Sequence, residues 1–222
     1  MPEEAAPWMA GVYQDTRERI TELLTATGPA AWGSPVDACP GWTVRDVVSH
    51  MTAVAQDWAD GSLAGVPTDA QTAEHVRRFD AIDETALLGT WSDMADRLAR
   101  RARDDGLEPP LGDIACHEHD IRTALGRPGA REEESVRWTA DQVLSMLSTP
   151  APLRVVVEDA QYRSGPADGN ELVLRTTRFE ALRWRLGRRS RSQLAAMDWS
   201  ADPAPVLAHL CLFGPASSDV VE

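Results

Sequence analysis

The sequence predicts an α+β protein: an up-and-down helical bundle over residues 1–150, followed by a small α+β domain over residues 151–222. Two observations carry that prediction. Up to Pro150, apolar residues return at helical spacing in segments separated by connections rich in Gly and Pro. Beyond Pro150, short runs with β-branched residues alternate with turn-forming triplets.

A first helix is expected over 8–26, where Trp8, Val12, Ile20, Leu23 and Leu24 fall near one face. A Gly/Pro/Ser-rich connection from Gly28 to Gly41 follows. Thr43 is a strong N-cap for a second helix, Asp46 occupies the third helical position of a box-like cap, and Trp42 and Val47 are placed for a hydrophobic staple. Val47, Met51, Val54 and Trp58 then run down one stripe, with His50 beside Val47 and Met51. Gly61 to Pro67 ends it.

Leu87, Trp91, Met94 and Leu98 define a third helix over 83–103, and Asp104 to Pro110 breaks it. A fourth spans 111–125 and stops at Gly126, with Pro128 shortly after. A fifth, over 135–147, carries Val136, Val143, Leu144 and Leu147 and completes the bundle. In the second domain, strands are expected at 153–157 and 171–177, bounded by Ser164-Gly165-Pro166 and Asp168-Gly169-Asn170. Residues 179–186 read as a helix, and 206–213 as helical or buried.

Composition narrows the function. A net charge of −13 disfavours nucleic acid and anionic membrane surfaces as partners, because both need a basic face. No apolar run reaches 18 residues, so no transmembrane helix is expected. The start MPEEAAPWMAG is acidic and has no apolar signal core; together with three scattered cysteines it points to a cytoplasmic protein. No GxGxxG, phosphate-binding loop, GxSxG elbow or CxxC pair is present, which lowers the odds of nucleotide, acyl-transfer or thioredoxin-like chemistry. Oligomeric state is not legible.

The chemistry-bearing residues are His50 and the pair Asp113-x-x-x-His117. On a helix Asp113 and His117 stand one turn apart on one face, and His50 would add a third ligand from another helix. Two imidazoles and one carboxylate, with a position left open, suit a catalytic zinc better than a structural one. Spacing alone also fits a plainer reading. Asp113 can be the N-cap of its helix, His50 a hydrogen-bonded core histidine, and His117-Glu118-His119-Asp120 a solvated helix face. Glu118 and His119 are further ligand candidates, although neighbouring side chains diverge by about 100° on a helix. His75 and His209 have no plausible ligand partner in sequence, and Cys39 and Cys116 read as buried rather than nucleophilic. The cluster Arg183, Arg185, Arg188, Arg189 and Arg191 is either a solvated helix end or a face for an anionic substrate, with Arg188 and Arg189 the substrate-binding candidates.

The run Cys39-Pro40-Gly41-Trp42-Thr43-Val44-Arg45-Asp46-Val47-Val48-Ser49-His50 resembles the N-terminal signature of the mycothiol-dependent maleylpyruvate isomerase family, a branch of the DinB-like metal-binding bundles. The run from Asp113 to Gly126 resembles its second signature, an acid-x-x-x-His followed by Asp-x-Arg-x-Ala-Leu-Gly. Gly187-Arg188-Arg189-Ser190, Gln193 and Phe213-Gly214-Pro215 are similar to a C-terminal domain found in many members. The resemblance implies a divalent metal, usually zinc, held by His50, Asp113 and His117, with mycothiol as thiol cosubstrate. Asp120 and Arg122 match the trailing Asp-x-Arg, where support of the ligands or helix packing is expected.

One position departs from the pattern. The family's acid is usually Glu, and Asp113 retracts the carboxylate by about 1.5 Å, which puts metal affinity in question. The function implied is a metal- and mycothiol-dependent enzyme in which a thiolate adds to a small electrophilic substrate, giving cis–trans isomerisation or S-transfer. The alternative is a non-catalytic metal-binding protein, regulatory or sequestering, on the same fold.

Overall fold

A computed structural model describes residues 5–222; Met1 to Glu4, the acidic opening of the chain, lie outside the described residues. The chain divides into two compact units that meet in sequence at Gly129–Ala130. Together they are α+β: eight helices and one four-stranded sheet among the described residues.

The first unit contains α1 (Ala5–Thr27), a 3-10 turn (Pro29–Gly33), α2 (Val44–Asp60), α3 (Asp69–Arg77), α4 (Glu84–Asp105) and α5 (Leu111–Ala124). Local chemistry sets the ends of α2. The Thr43 hydroxyl accepts from the Asp46 backbone N–H, and the Asp46 carboxylate accepts from the Thr43 N–H at 2.8 Å, so both halves of the capping box are present. Gly61 closes the helix at φ 74°, a left-handed conformation that a residue with a Cβ resists. Asp83 caps α4 with a single side-chain bond, accepting from the Ala86 N–H at 2.8 Å. Helix α2 buries Val44, Val47, Val48, Met51 and Val54, and it packs against α4, α3 and α5. Helix α1 lies on α4 and α5.

Two first-unit helices are not ordinary amphipathic helices. Helix α5 buries every residue from Ile114 to Ile121, including Cys116, His117, Glu118, His119 and Asp120, so a polar stretch faces the interior. Helix α3, for which the sequence gives no apolar stripe, buries His75 alone.

The second unit starts earlier than the change of texture at Pro150. Helix α6 (Glu134–Ser145), expected as the last helix of the bundle, packs instead against α7 (Arg178–Arg185). Its buried stripe is Val136, Ala140, Val143 and Leu144. Asp141 accepts from Tyr162 Oη and from Arg178 Nε, each at 2.6 Å, and the Val143 carbonyl accepts from Arg185 Nε at 2.8 Å. These ties to later residues place the boundary at 129/130 rather than 150/151.

The sheet comprises β1 (Leu153–Val156), β2 (Gln161–Ser164), β3 (Leu172–Arg175) and β4 (Asp198–Trp199), in the order β2-β1-β3-β4. Strand β1 pairs antiparallel with β2 and parallel with β3, and β3 pairs antiparallel with β4. Leu153, Val155, Leu172 and Leu174 face the core, the period-two signal that made β1 and β3 legible. The Gln161-Tyr162-Arg163-Ser164 strand has no such alternation of apolar residues. Helix α8 (Arg191–Ala195) begins at a Ser190/Gln193 capping box. Of 206–213 only Leu207–His209 is helical, a 3-10 turn; Val206 and Leu210 are buried.

Candidate metal centre

His50 and Asp113 come from two helices that pack together, α2 and α5, and His117 follows Asp113 by one turn on α5. His50 Nε2 lies 3.4 Å from Asp113 Oδ1, and His117 Nε2 lies 3.7 Å from the same oxygen. One ligand atom from each of the three residues falls within 4.8 Å of the others. Ligand atoms about 2.0–2.1 Å from a tetrahedral zinc stand about 3.4 Å apart. The donor set and its spacing therefore fit a four-coordinate cation. The shorter arm of Asp113 still reaches the two nitrogens.

Asp113 is not the N-cap of its helix. Pro110 occupies that position, and Asp113 is the third helical residue, so its carboxylate is available to the imidazoles. Its side chain keeps 23% exposure, against 5% for His50 and 9% for His117, which puts the accessible side of the cluster at the carboxylate.

Each imidazole has neighbours behind it. His117 Nδ1 lies 2.9 Å from Asp120 Oδ2, and Asp120 is fully buried. A carboxylate there holds the proton on Nδ1 and leaves the Nε2 lone pair facing Asp113 and His50. Cys39 Sγ approaches the same Asp120 oxygen at 3.5 Å, giving a second grouping of Cys39, His117 and Asp120. The Trp42 ring stands 5.3 Å from the His50 ring and 6.5 Å from the His117 ring, covering both with apolar surface.

Behind His50 lies His75 of α3, with ring centroids 5.3 Å apart and planes tilted by 48°. His75 Nε2 is 2.9 Å from Asp57 Oδ2, and Arg78 grips the same carboxylate through Nη1 at 2.7 Å and Nη2 at 2.9 Å. Burial tends to raise the Asp57 pKa, but the hydrogen bonds from Arg78 and His75 outweigh it and hold the carboxyl below its usual range. Burial also pushes the His75 imidazole below its ordinary pKa, against the pull of Asp57.

Glu118 and Arg122 of α5 serve packing, and His119 is buried on the same helix but belongs to neither grouping of potential metal ligands. Glu118, fully buried, accepts from Arg19 Nε (3.2 Å) and Nη2 (2.8 Å) and from Arg122 Nε (3.0 Å) and Nη2 (2.9 Å). Arg122 thus joins a clamp between α5 and α1. Tyr13 on α1 accepts from Trp91 Nε1 at 3.1 Å. Burial, reinforced by the negative charge of Asp113 and opposed by the Trp91 hydrogen bond, pushes its phenol well above the usual tyrosine range.

Arg188 and Arg189 belong to the second unit. Arg189 is buried, with Nη2 2.7 Å from Glu180 Oε1 and 2.8 Å from Glu222 Oε2. Arg188 donates to the Leu186 carbonyl at 2.7 Å. Arg183 and Arg185 are buried as well, the first against Glu222 and the second on the carbonyls of Val143 and Leu210.

Sequence reasoning passed over His75 and Asp57, and it gave Trp42 a capping role alone. A signal for α3 did exist: Thr68-x-x-Gln71 spells the capping box that the structure contains, with Thr68 N donating to Gln71 Oε1 at 3.0 Å.

Residues 13–117 match the family described as the mycothiol maleylpyruvate isomerase N-terminal domain, a span that contains His50 and Asp113 and ends on His117. No curated protein sequence matches the chain significantly. Among solved structures, the chain is similar to the crystal structure of the mycothiol-dependent maleylpyruvate isomerase, with TM-score 0.51, 14% identity, and coverage of 85% of this chain and 90% of that one. It is similar also to a histidine-to-alanine mutant of that isomerase, with TM-score 0.50, 13% identity, and coverage of 83% and 88%. At such identities the likeness shows a shared fold.

Proposed function

We propose that this chain, whose residues 13–117 match the mycothiol maleylpyruvate isomerase N-terminal domain, is a mycothiol-dependent enzyme whose His50, Asp113 and His117 hold a divalent cation, zinc by the nature of the donors. The single observation that carries the reading is the convergence of two imidazole nitrogens on one carboxylate oxygen, at 3.4 and 3.7 Å. A cation held there would favour the thiolate form of the cosubstrate at neutral pH.

The chain's own residues supply orientation and shelter. Asp120 keeps a proton on His117 Nδ1, so that Nε2 presents a lone pair. Trp42 keeps water from the covered side of both imidazoles. The partly exposed Asp113 marks the side from which thiol and substrate enter. The reaction proposed is addition of the thiolate sulfur to an electrophilic carbon of a small substrate. Addition leaves the negative charge on the substrate; expulsion of the sulfur after bond rotation returns it and completes a cis–trans isomerisation, whereas uptake of a proton from solvent at that carbanion, with the carbon–sulfur bond retained, completes an S-transfer. We assign no substrate contact to Arg188 or Arg189, because the Arg189 guanidinium is matched by Glu180 and Glu222 and Arg188 is turned to a backbone carbonyl.

The test begins with the metal content of protein purified without chelators, wild type beside His50→Ala and His117→Ala. Stoichiometric zinc in the wild type, lost in both variants, is the expected result. Mycothiol-dependent consumption of an electrophile such as maleylpyruvate should follow the same pattern, and product analysis then separates isomerisation from S-transfer. Zinc binding without any thiol-dependent turnover would favour a regulatory or sequestering protein. Absence of zinc from the wild type would overturn the metal reading.

A further inference from the structure

The buried nitrogens behind His50 call for an explanation of their own. Nδ1 of His50 and Nδ1 of His75 are both buried and both without a hydrogen-bond partner, on two rings that pack together at 5.3 Å between centroids. Buried polar atoms are almost always satisfied, so two orphans on adjacent rings are unusual. Imidazole ring atoms sit about 1.2 Å from the centroid, so nitrogens turned toward each other across this spacing would stand about 3 Å apart, within hydrogen-bond range. The two nitrogens are not bonded to each other in the structure, so the contact requires a small adjustment about the imidazole χ2 torsions, which are broad.

The two nitrogens are also complementary. Asp57 is an anion clasped by Arg78, so it accepts, and His75 donates to it from Nε2. A neutral imidazole that donates from Nε2 offers a lone pair at Nδ1. His50 has the opposite need: to present an Nε2 lone pair beside Asp113 and His117, it must carry its proton on Nδ1 and find an acceptor for it. Helix α2 supplies both ends of the relay, since Asp57 follows His50 by seven residues, two turns along the same face. Helix α3 supplies the middle, and His75 is its one buried residue.

We propose that Asp57 and His75 form a positioning relay that holds His50 in its Nδ1–H tautomer, with Nε2 aimed at the cation position between Asp113 and His117. The relay rests on the metal reading of those three residues. It gives His50 through an intervening imidazole what Asp120 gives His117 directly, and His75 is a positioning residue that touches neither cation nor substrate.

Two measurements on the full chain test it. The first is the tautomer of His50 in the wild type, read by long-range proton–nitrogen NMR of histidine-labelled protein with and without added Zn(II). The second is Co(II) and Zn(II) affinity, by competition with a chromophoric chelator, for wild type, His75→Leu and His75→Gln, each checked for folding by circular dichroism. The relay predicts the Nδ1–H form of His50 in the wild type. It predicts affinity weakened by about 10- to 100-fold in His75→Leu, a typical loss when the partner of a metal ligand is removed. It also predicts partial recovery in His75→Gln, whose side-chain oxygen can accept.

An Nε2–H tautomer at His50 overturns the relay without need of any variant. So does a folded His75→Leu protein that binds either cation as tightly as the wild type; in that case the metal reading stands and the relay falls. If the wild type binds neither cation yet holds His50 as Nδ1–H, the metal reading falls while Asp57 and His75 still set the tautomer.

Discussion

Two clusters of polar side chains, one in each unit, are matched in different ways. In the second unit, Arg183, Arg185 and Arg189 enter the interior with partners already in place: Glu222 for Arg183, the carbonyls of Val143 and Leu210 for Arg185, and Glu180 with Glu222 for Arg189. In the first unit, His50, Asp113 and His117 converge at 3.4 and 3.7 Å, longer than good hydrogen bonds, and His50 keeps an orphaned nitrogen behind it. Matched charge with good geometry fixes a fold. Lone pairs that converge at a cation's spacing rather than a hydrogen bond's suit a place where something binds.

The largest effect should come from breaking this open cluster. Replacing His117 with Ala removes one donor and the anchor for Asp120, and zinc analysis should show loss of stoichiometric metal while far-ultraviolet circular dichroism stays helical. The matched cluster should respond in stability instead. Glu222→Ala removes the carboxylate facing Arg183 and one of the two carboxylates on Arg189, and losing one partner of a buried pair costs about 3–5 kcal/mol; urea unfolding should register that loss, and metal content should not change.

Asp120→Asn sits between these extremes. It preserves shape but removes the anion at His117 Nδ1, so chelator competition should show metal affinity down by about 10- to 100-fold. Asp113→Glu, which restores the family's usual acid, is smaller still: bound metal should persist, because the backbone of α5 already brings the shorter carboxylate within 3.4 Å of His50.

The smallest effect is one of pH. Asp57 is held below its ordinary pKa by Arg78 and His75, so its contribution to stability is complete above the unfolded value, about 3.9, and is lost as pH falls through the folded value. The difference in urea stability between wild type and Asp57→Asn should therefore be flat from neutrality to about pH 5 and shrink below about pH 4.

What could be read from the sequence follows the physics of each element. Helices α1, α2, α4 and α5 announced themselves through caps and apolar spacing, and β1 and β3 through alternation. Helix α6 was visible but misplaced, because its Val136-to-Leu144 stripe says that it packs on something and not on what; Asp141 and Arg185 decide that, from far along the chain. Strand β2 is a polar hairpin partner of β1 and carries no apolar pattern of its own. At the candidate site, the convergence of His50, Asp113 and His117 was legible because a one-turn spacing and a stripe position bring them together. His75 was not, because a hydrophilic helix with one buried residue leaves no periodic signal, and its partner Asp57 lies 18 residues before it.

That same helix has a consequence for motion. With His75 as its only buried residue, α3 gains little from apolar burial and is held to α2 mainly through the Asp57–His75–Arg78 latch. Segments anchored in this way open at low free-energy cost, ahead of the rest of the molecule. Amide hydrogens of α3 should exchange with solvent well before those of α2 and α5, and the latch should loosen further in acid, where its carboxylate takes up a proton. The back wall of the candidate site would then breathe on a timescale set by three polar side chains, while α2 and α5 in front of it stay closed.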